Sequence, residues 1–224
     1  MSEETAAREL ATAALLSSRL CHDLISPVGA LANGLEVLAE ETDAEMRGFA
    51  MDLINSSAQQ ASIKLQFARF AYGAGGSAGD AIDTSEAEKV TRAYLETTKA
   101  ELAWKAPVVA APKDAVKLLL NFVMIGLDAI PYGGKIDATI EEEPGALEII
   151  VEASGKKAKF SEVTRALLTD APLDDPLNPR SIQAYYAALI SRALGIRINL
   201  SEGEEHVAIA TRFPVAPSPA ISQD

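Results

Sequence analysis

The chain of 224 residues sets 32 acidic against 20 basic side chains, and a net charge of −12 argues against a nucleic-acid-binding surface. Hydrophobic residues make up 48% and charged residues 23%, the balance of a soluble globular protein with one large domain or two small ones. The single cysteine, Cys21, excludes an internal disulfide framework and fits a reducing compartment. The polar first residues hold no apolar leader core, and no apolar run reaches the roughly 20 residues of a bilayer span. The expectation is a cytoplasmic protein without a membrane segment.

Residues 4–39 read as one long helix, interrupted only by Pro27, Gly29 and Gly34. Leu10, Leu20, Leu24, Val28, Leu31, Leu35 and Leu38 recur at helical steps as an apolar stripe. A polar turn follows, with Thr42 or Asp43 as N-cap, and then a second helix to about Tyr72 with Met46, Ala50, Leu53, Ser57, Ala61, Leu65 and Ala68 on one stripe. Two long helices joined so briefly form a hairpin, and pairing two hairpins into a homodimeric four-helix bundle would cover the stripes. The glycine-rich segment 73–79 reads as a linker.

Beyond the linker the spacing predicts helices at 84–99, 112–130, 161–168 and 180–194. Strands are expected at 101–105, 135–142, 147–153, 196–200 and 207–213. That order suits a mixed α/β sandwich with helices on one face of a largely antiparallel sheet. The domain limits are therefore 1–73 and 80–214, with a disordered tail at 215–224.

Only two histidines occur, His22 and His206. His22 falls between Leu20 and Leu24 and, at about 100° per residue, points some 200° from each, toward solvent. Ser18, Arg19, Ser26, Gly29 and Asn33 share its outward face, and Ala30 adds a further small neighbour. An exposed imidazole titrating near neutrality suits nucleophilic phosphoryl transfer. Small neighbours would admit a partner protein, and Arg19 would offset incoming negative charge. Asp23 is placed to hold the other ring nitrogen protonated, and Pro27 removes the helical hydrogen bond to the Asp23 carbonyl. Cys21 is read as a packing thiol and His206 as an exposed strand residue. No spacing suggests a metal site.

The stretch His22-Asp23-Leu24-Ile25-Ser26-Pro27 resembles the phosphoacceptor box of sensor histidine kinases, His-[Glu/Asp]-x-x-x-Pro. The second half resembles their ATP-binding domain of Bergerat fold, through Leu118-Leu119-Leu120-Asn121, Leu127-Asp128-Ala129-Ile130-Pro131-Tyr132-Gly133-Gly134 and Ala153-Ser154-Gly155. Aligned so, Asn121 fits the first asparagine of the Mg²⁺-holding box but Ile125 stands at the second. Ala153 replaces the adenine-reading aspartate and Lys157 a glycine. Residues 173–179 contain no glycine and two carboxylates, where kinases carry a phosphate-cradling loop. ATP binding is therefore not expected.

A phosphoacceptor hairpin on such an emptied domain is similar to the ChpT-like family of dimeric histidine phosphotransferases of the cell cycle. The resemblance implies a relay in which the receiver of a CckA-like hybrid kinase phosphorylates His22. The group then passes to CtrA-like and CpdR-like response regulators. Mg²⁺ is then expected on the partner receiver, with no cofactor in this chain, and receivers are expected to dock around His22 and Lys64. Two other readings fit the residues: a divergent kinase that autophosphorylates from ATP, and a non-catalytic receiver-binding regulator.

Overall fold

The computed structural model describes residues 3–73, 81–172 and 177–215, without the side chains of residues 3–5 and 8. Except for Gly73 and Val215, the expected linker and tail lie outside the described residues. Two compact units form, Met1–Arg69 with Leu177–Ile182, and Phe70–Pro176 with Gln183–Asp224. The first unit thus takes in residues 177–182, which chain order alone had placed in the second domain. No helix among the described residues is long and apolar enough to cross a membrane.

In the first unit, α1 (Glu3–Glu40) continues through Pro27 and is followed by α2 (Ala44–Ala71). Hydrogen bonds shape the turn between them. Glu41 Oε1 accepts from the amides of Thr42 and Asp43 at 2.8 and 2.9 Å. The Asp43 amide, followed by that of Thr42, holds the Glu41 carboxyl below its ordinary range. Asp43 Oδ1 caps α2 through the amides of Glu45 and Met46, both at 3.0 Å. Arg47 Nη1 closes the end of α1 by donating to the Leu38 and Glu41 carbonyls at 2.5 and 2.9 Å.

Close helix approach depends on Gly34, where a Cβ would lie 2.8 Å from Ile54 Cγ1 and 3.2 Å from the Ala50 carbonyl oxygen. The buried face of α2 includes Ala50 and Ser57, with Ile54, Ala61 and Lys64 half-buried beside them. The single hairpin leaves the expected stripes largely uncovered, as a stripe meant to pair across two hairpins would be. Leu20 and Leu24 are only half-buried, while Leu10, Val28, Leu35, Met46, Leu53 and Leu65 are exposed in the single chain. The apolar surface on each helix is wider than one antiparallel neighbour covers.

The second unit holds β1 (Ala81–Asp83), α3 (Thr84–Glu96), β2 (Ala100–Lys105), β3 (Ala110–Pro112), α4 (Lys113–Ala129), β4 (Gly134–Glu143), β5 (Ala146–Ser154), α5 (Glu162–Leu168), α6 (Ile182–Leu194), β6 (Ile198–Gly203) and β7 (His206–Pro214). The helix α6, whose first residue belongs to the other unit, starts two residues later than expected, because residues 178–181 form a capped turn. The antiparallel ribbon of β1 with β3 was not foreseen, since three-residue strands show no periodicity.

The main sheet runs β2-β4-β5-β7-β6, with only β2 and β4 parallel. Register places Ile136 opposite Ala153, Ala138 opposite Val151 and Ile140 opposite Ile149, and then Val151 opposite Ile209 and Leu147 opposite Phe213. All are buried, so period-two alternation aims one face inward. The helix α4, apolar almost all round, packs on that sheet and supplies Leu118, Leu119, Leu120 and Phe122 to the core. This is the expected two-layer sandwich.

The turn from α4 into β4 requires glycine. Gly133 has φ +88°, and any Cβ there would run into the Lys99 carbonyl. Gly133→Ala is expected to destabilise the protein by at least about 2 kcal/mol through left-handed strain plus overlap, read as a lowered midpoint in urea unfolding.

Candidate functional site around His22

On α1 the His22 side chain is 78% exposed. Its Nδ1 lies 3.4 Å from Asp23 Oδ1, a long contact that favours the proton on Nδ1 and leaves the lone pair on Nε2. The other Asp23 oxygen, Oδ2, accepts from Arg19 Nε at 3.1 Å, one helical turn earlier. Arg19 is only 14% exposed, so the guanidinium fixes the carboxylate at the edge of the helix pair. The row Arg19, Asp23, His22 is thus an oriented chain ending in an open nitrogen.

The backbone completes the arrangement. Pro27, buried in the helix, has no amide hydrogen to give the Asp23 carbonyl. Lys64 Nζ of α2 donates to that carbonyl at 3.0 Å. The helix break left by the proline is thereby repaired from the neighbouring helix, and Asp23 is held at both carboxylate and carbonyl. Lys64, expected to meet a docking receiver, has this bond within the chain.

Ser18, Ser26, Gly29 and Asn33 are exposed as expected, and Ala30 is half-buried. A Cβ at Gly29 would meet nothing within 4 Å, so this stretch offers an unobstructed surface. Cys21 is also exposed, which corrects its reading as a packing thiol: it lies on the uncovered side of the hairpin. His206 is half-exposed, with Nδ1 3.1 Å from Ser154 Oγ and Nε2 3.6 Å from Glu152 Oε1. Asn178, Pro179 and Arg180 line a pocket with His22 and Arg19. Nothing in the spacing of the sequence signals this neighbourhood, because more than 150 residues separate the two segments.

Of the positions that resemble a nucleotide site, Asn121, Ile125 and Ala153 are built into the core of the second unit. Asn121 is fully buried, and its Nδ2 donates to the carbonyls of Ala71 and Lys117 at 2.9 and 2.8 Å. Tyr72 fills the adjoining space. Its ring meets that of Tyr186 edge-on with centroids 5.8 Å apart, and its hydroxyl lies 3.4 Å from Met124 Sδ and accepts from Gln183 Nε2. The Tyr186 hydroxyl donates to the Tyr72 carbonyl at 3.2 Å, and burial pushes its pKa up, keeping it a donor. Ile125 and Ala153 are buried. Lys157 keeps the left-handed conformation that suits the aligned glycine, with φ +60°, and its ammonium sits 5.8 Å over the Tyr132 ring.

Lys64→Met is expected to leave the Asp23 carbonyl unpaired and to lower stability by about 1–2 kcal/mol, measured by thermal unfolding followed through helical circular dichroism.

Comparison with known proteins identifies the family of the chain. The family described as histidine phosphotransferase C-terminal domain matches residues 84–206. Protein phosphotransferase ChpT of Brucella abortus (strain 2308) is 41% identical over 197 residues, covering 88% of this chain and 93% of that protein. A 1.7 Å structure of a bacterial phosphotransferase superposes with a TM-score of 0.80 at 38% identity, covering 90% of this chain and 96% of that one. A match to more than half of the chain, together with this identity across most of it, makes the chain a member of the histidine phosphotransferase family.

Proposed function

We propose that His22 is the phosphoacceptor of a phosphorelay between two receiver domains. The exposed imidazole, with Nδ1 turned to a pinned carboxylate and Nε2 open, is the observation that supports this reading. The Nε2 lone pair attacks the phosphorus of a receiver's aspartyl phosphate in line. The P–O bond to that aspartate breaks, its carboxylate leaves, and a P–N bond forms. The ring keeps its Nδ1 proton and becomes cationic, and Asp23 offsets that charge while Arg19 keeps Asp23 in place. Attack by the carboxylate of a second receiver on phosphohistidine reverses the sequence. The Mg²⁺ such steps use belongs to the receivers.

Donor and acceptors in this reading are the receiver of a CckA-like hybrid kinase and the CtrA-like and CpdR-like response regulators, in the cytoplasm. ATP is not a substrate. The buried packing of Asn121, Ile125 and Ala153, the positions aligned with the nucleotide site of the kinases, supports this. In radiolabelled ATP and Mg²⁺, the protein alone is expected to take no label. With a phosphorylated hybrid kinase added, the wild type takes label and His22→Ala takes none. Label from ATP alone would favour the kinase alternative, and signalling that survives His22→Ala would favour a non-catalytic regulator. Asp23→Asn is expected to slow transfer by roughly tenfold without loss of receiver affinity, read by rapid-quench labelling.

The active form in this reading is a homodimer joined through the hairpins. Val28 and Phe49 are 53% and 59% exposed in a single chain, with Leu35, Leu53 and Leu65 also uncovered, and so many uncovered apolar side chains on both helices suit a four-helix bundle. Light scattering should give the mass of two chains for the wild type and of one for Phe49→Asp.

A further inference from the structure

We propose that Arg180 binds the phosphoryl group carried on His22, an inference that rests on reading His22 as the phosphoacceptor. The compact unit containing the hairpin also contains residues 177–182. Within that unit lies a pocket of about 430 Å³, lined by Arg19, His22, Asn178, Pro179 and Arg180. Among the described residues that border it are two guanidinium groups, an imidazole and an amide, and no carboxylate. With Arg19 ion-paired to Asp23, the Arg180 guanidinium is the positive charge among these lining residues that is left to meet an anion. A phosphoryl group there adds a charge of about −1.5 to −2.

The two arginines divide the work. Arg19 is spent on Asp23 and mostly buried. Arg180 is exposed, and no carboxylate among the described residues pairs with its guanidinium. Its backbone is nonetheless fixed. Asn178 Oδ1 accepts from the amides of Arg180 and Ser181 at 2.9 and 3.2 Å, Asn178 N donates to Ser181 Oγ at 3.0 Å, and Pro179 restricts the residue between. These bonds also occupy the first amides leading into α6. Anion recognition therefore falls to the guanidinium, whose planar fork matches two phosphoryl oxygens.

Phosphoramidate, a small donor that needs no protein docking, isolates this role. Its P–N bond breaks, ammonia leaves, and the phosphoryl group bonds to His22 Nε2. Relative to wild type, Arg180→Ala is expected to take up phosphate about tenfold more slowly at subsaturating donor, Arg180→Glu more slowly still, and Arg180→Lys at an intermediate rate. Because Arg180 is exposed, all three should melt like wild type, and the graded response to charge is one that a merely structural role would not give. Labelling of Arg180→Ala at the wild-type rate, or identical rates for the alanine, lysine and glutamate variants, overturns the proposal while leaving His22-dependent labelling intact. If His22→Ala still takes up phosphate, or the wild type takes none from either phosphoramidate or a phosphorylated receiver, the reading of His22 itself fails.

Discussion

A proline inside a helix leaves one carbonyl without its amide, and in this chain that carbonyl belongs to Asp23. The Lys64 ammonium supplies the missing hydrogen from the second helix, across 41 residues of sequence. The same residue presents its carboxylate to Arg19 and His22. One position therefore joins the two helices, orients the imidazole and absorbs the break in backbone bonding. Charge explains why the node is stable: two cations converge on groups that accept only, and each is partly withdrawn from water, where such hydrogen bonds are stronger.

The second unit puts polar side chains to a different use. Asn121 and Gln183 point donors at fixed partners, while the oxygens Asn121 Oδ1 and Gln183 Oε1 find no partner among the described residues. An unpaired buried oxygen has a cost, and here it accompanies donors that tie the chain at Ala71 and Tyr72 to α4 and α6. Asn121, which the sequence aligns with a nucleotide site, thus serves as packing and as a tie within this unit.

Much of the architecture was legible beforehand because it follows from periodicity. The long helices, the buried helix α4 and the alternating strands β4, β5 and β7 each repeat a pattern over enough residues to be read. The β1–β3 ribbon was not legible, being too short to repeat anything. Val28 and Leu35 lie on the expected stripe and are exposed in the single chain, in keeping with a stripe that one hairpin cannot cover. At the candidate site, the outward setting of His22 and the nearness of Asp23 came from helical geometry alone. The Lys64 bond to the Asp23 carbonyl and the presence of Arg180 beside His22 depend on tertiary approach, which no local pattern encodes.

Lys157 and Ala153, both aligned with kinase-like positions, differ in how freely their side chains could change. At Lys157 the backbone has the left-handed conformation, so glycine there would meet no conformational obstacle. Ala153 is different. It is 1% exposed and packs over Gly126 of α4, where even a Cβ would stand 3.4 Å from its own. A carboxylate restored at 153 would be buried without a cation and would press on the helix behind it. The two positions therefore tolerate change unequally: position 157 is set by its backbone and open to another side chain, whereas position 153 is set by the core packed around it.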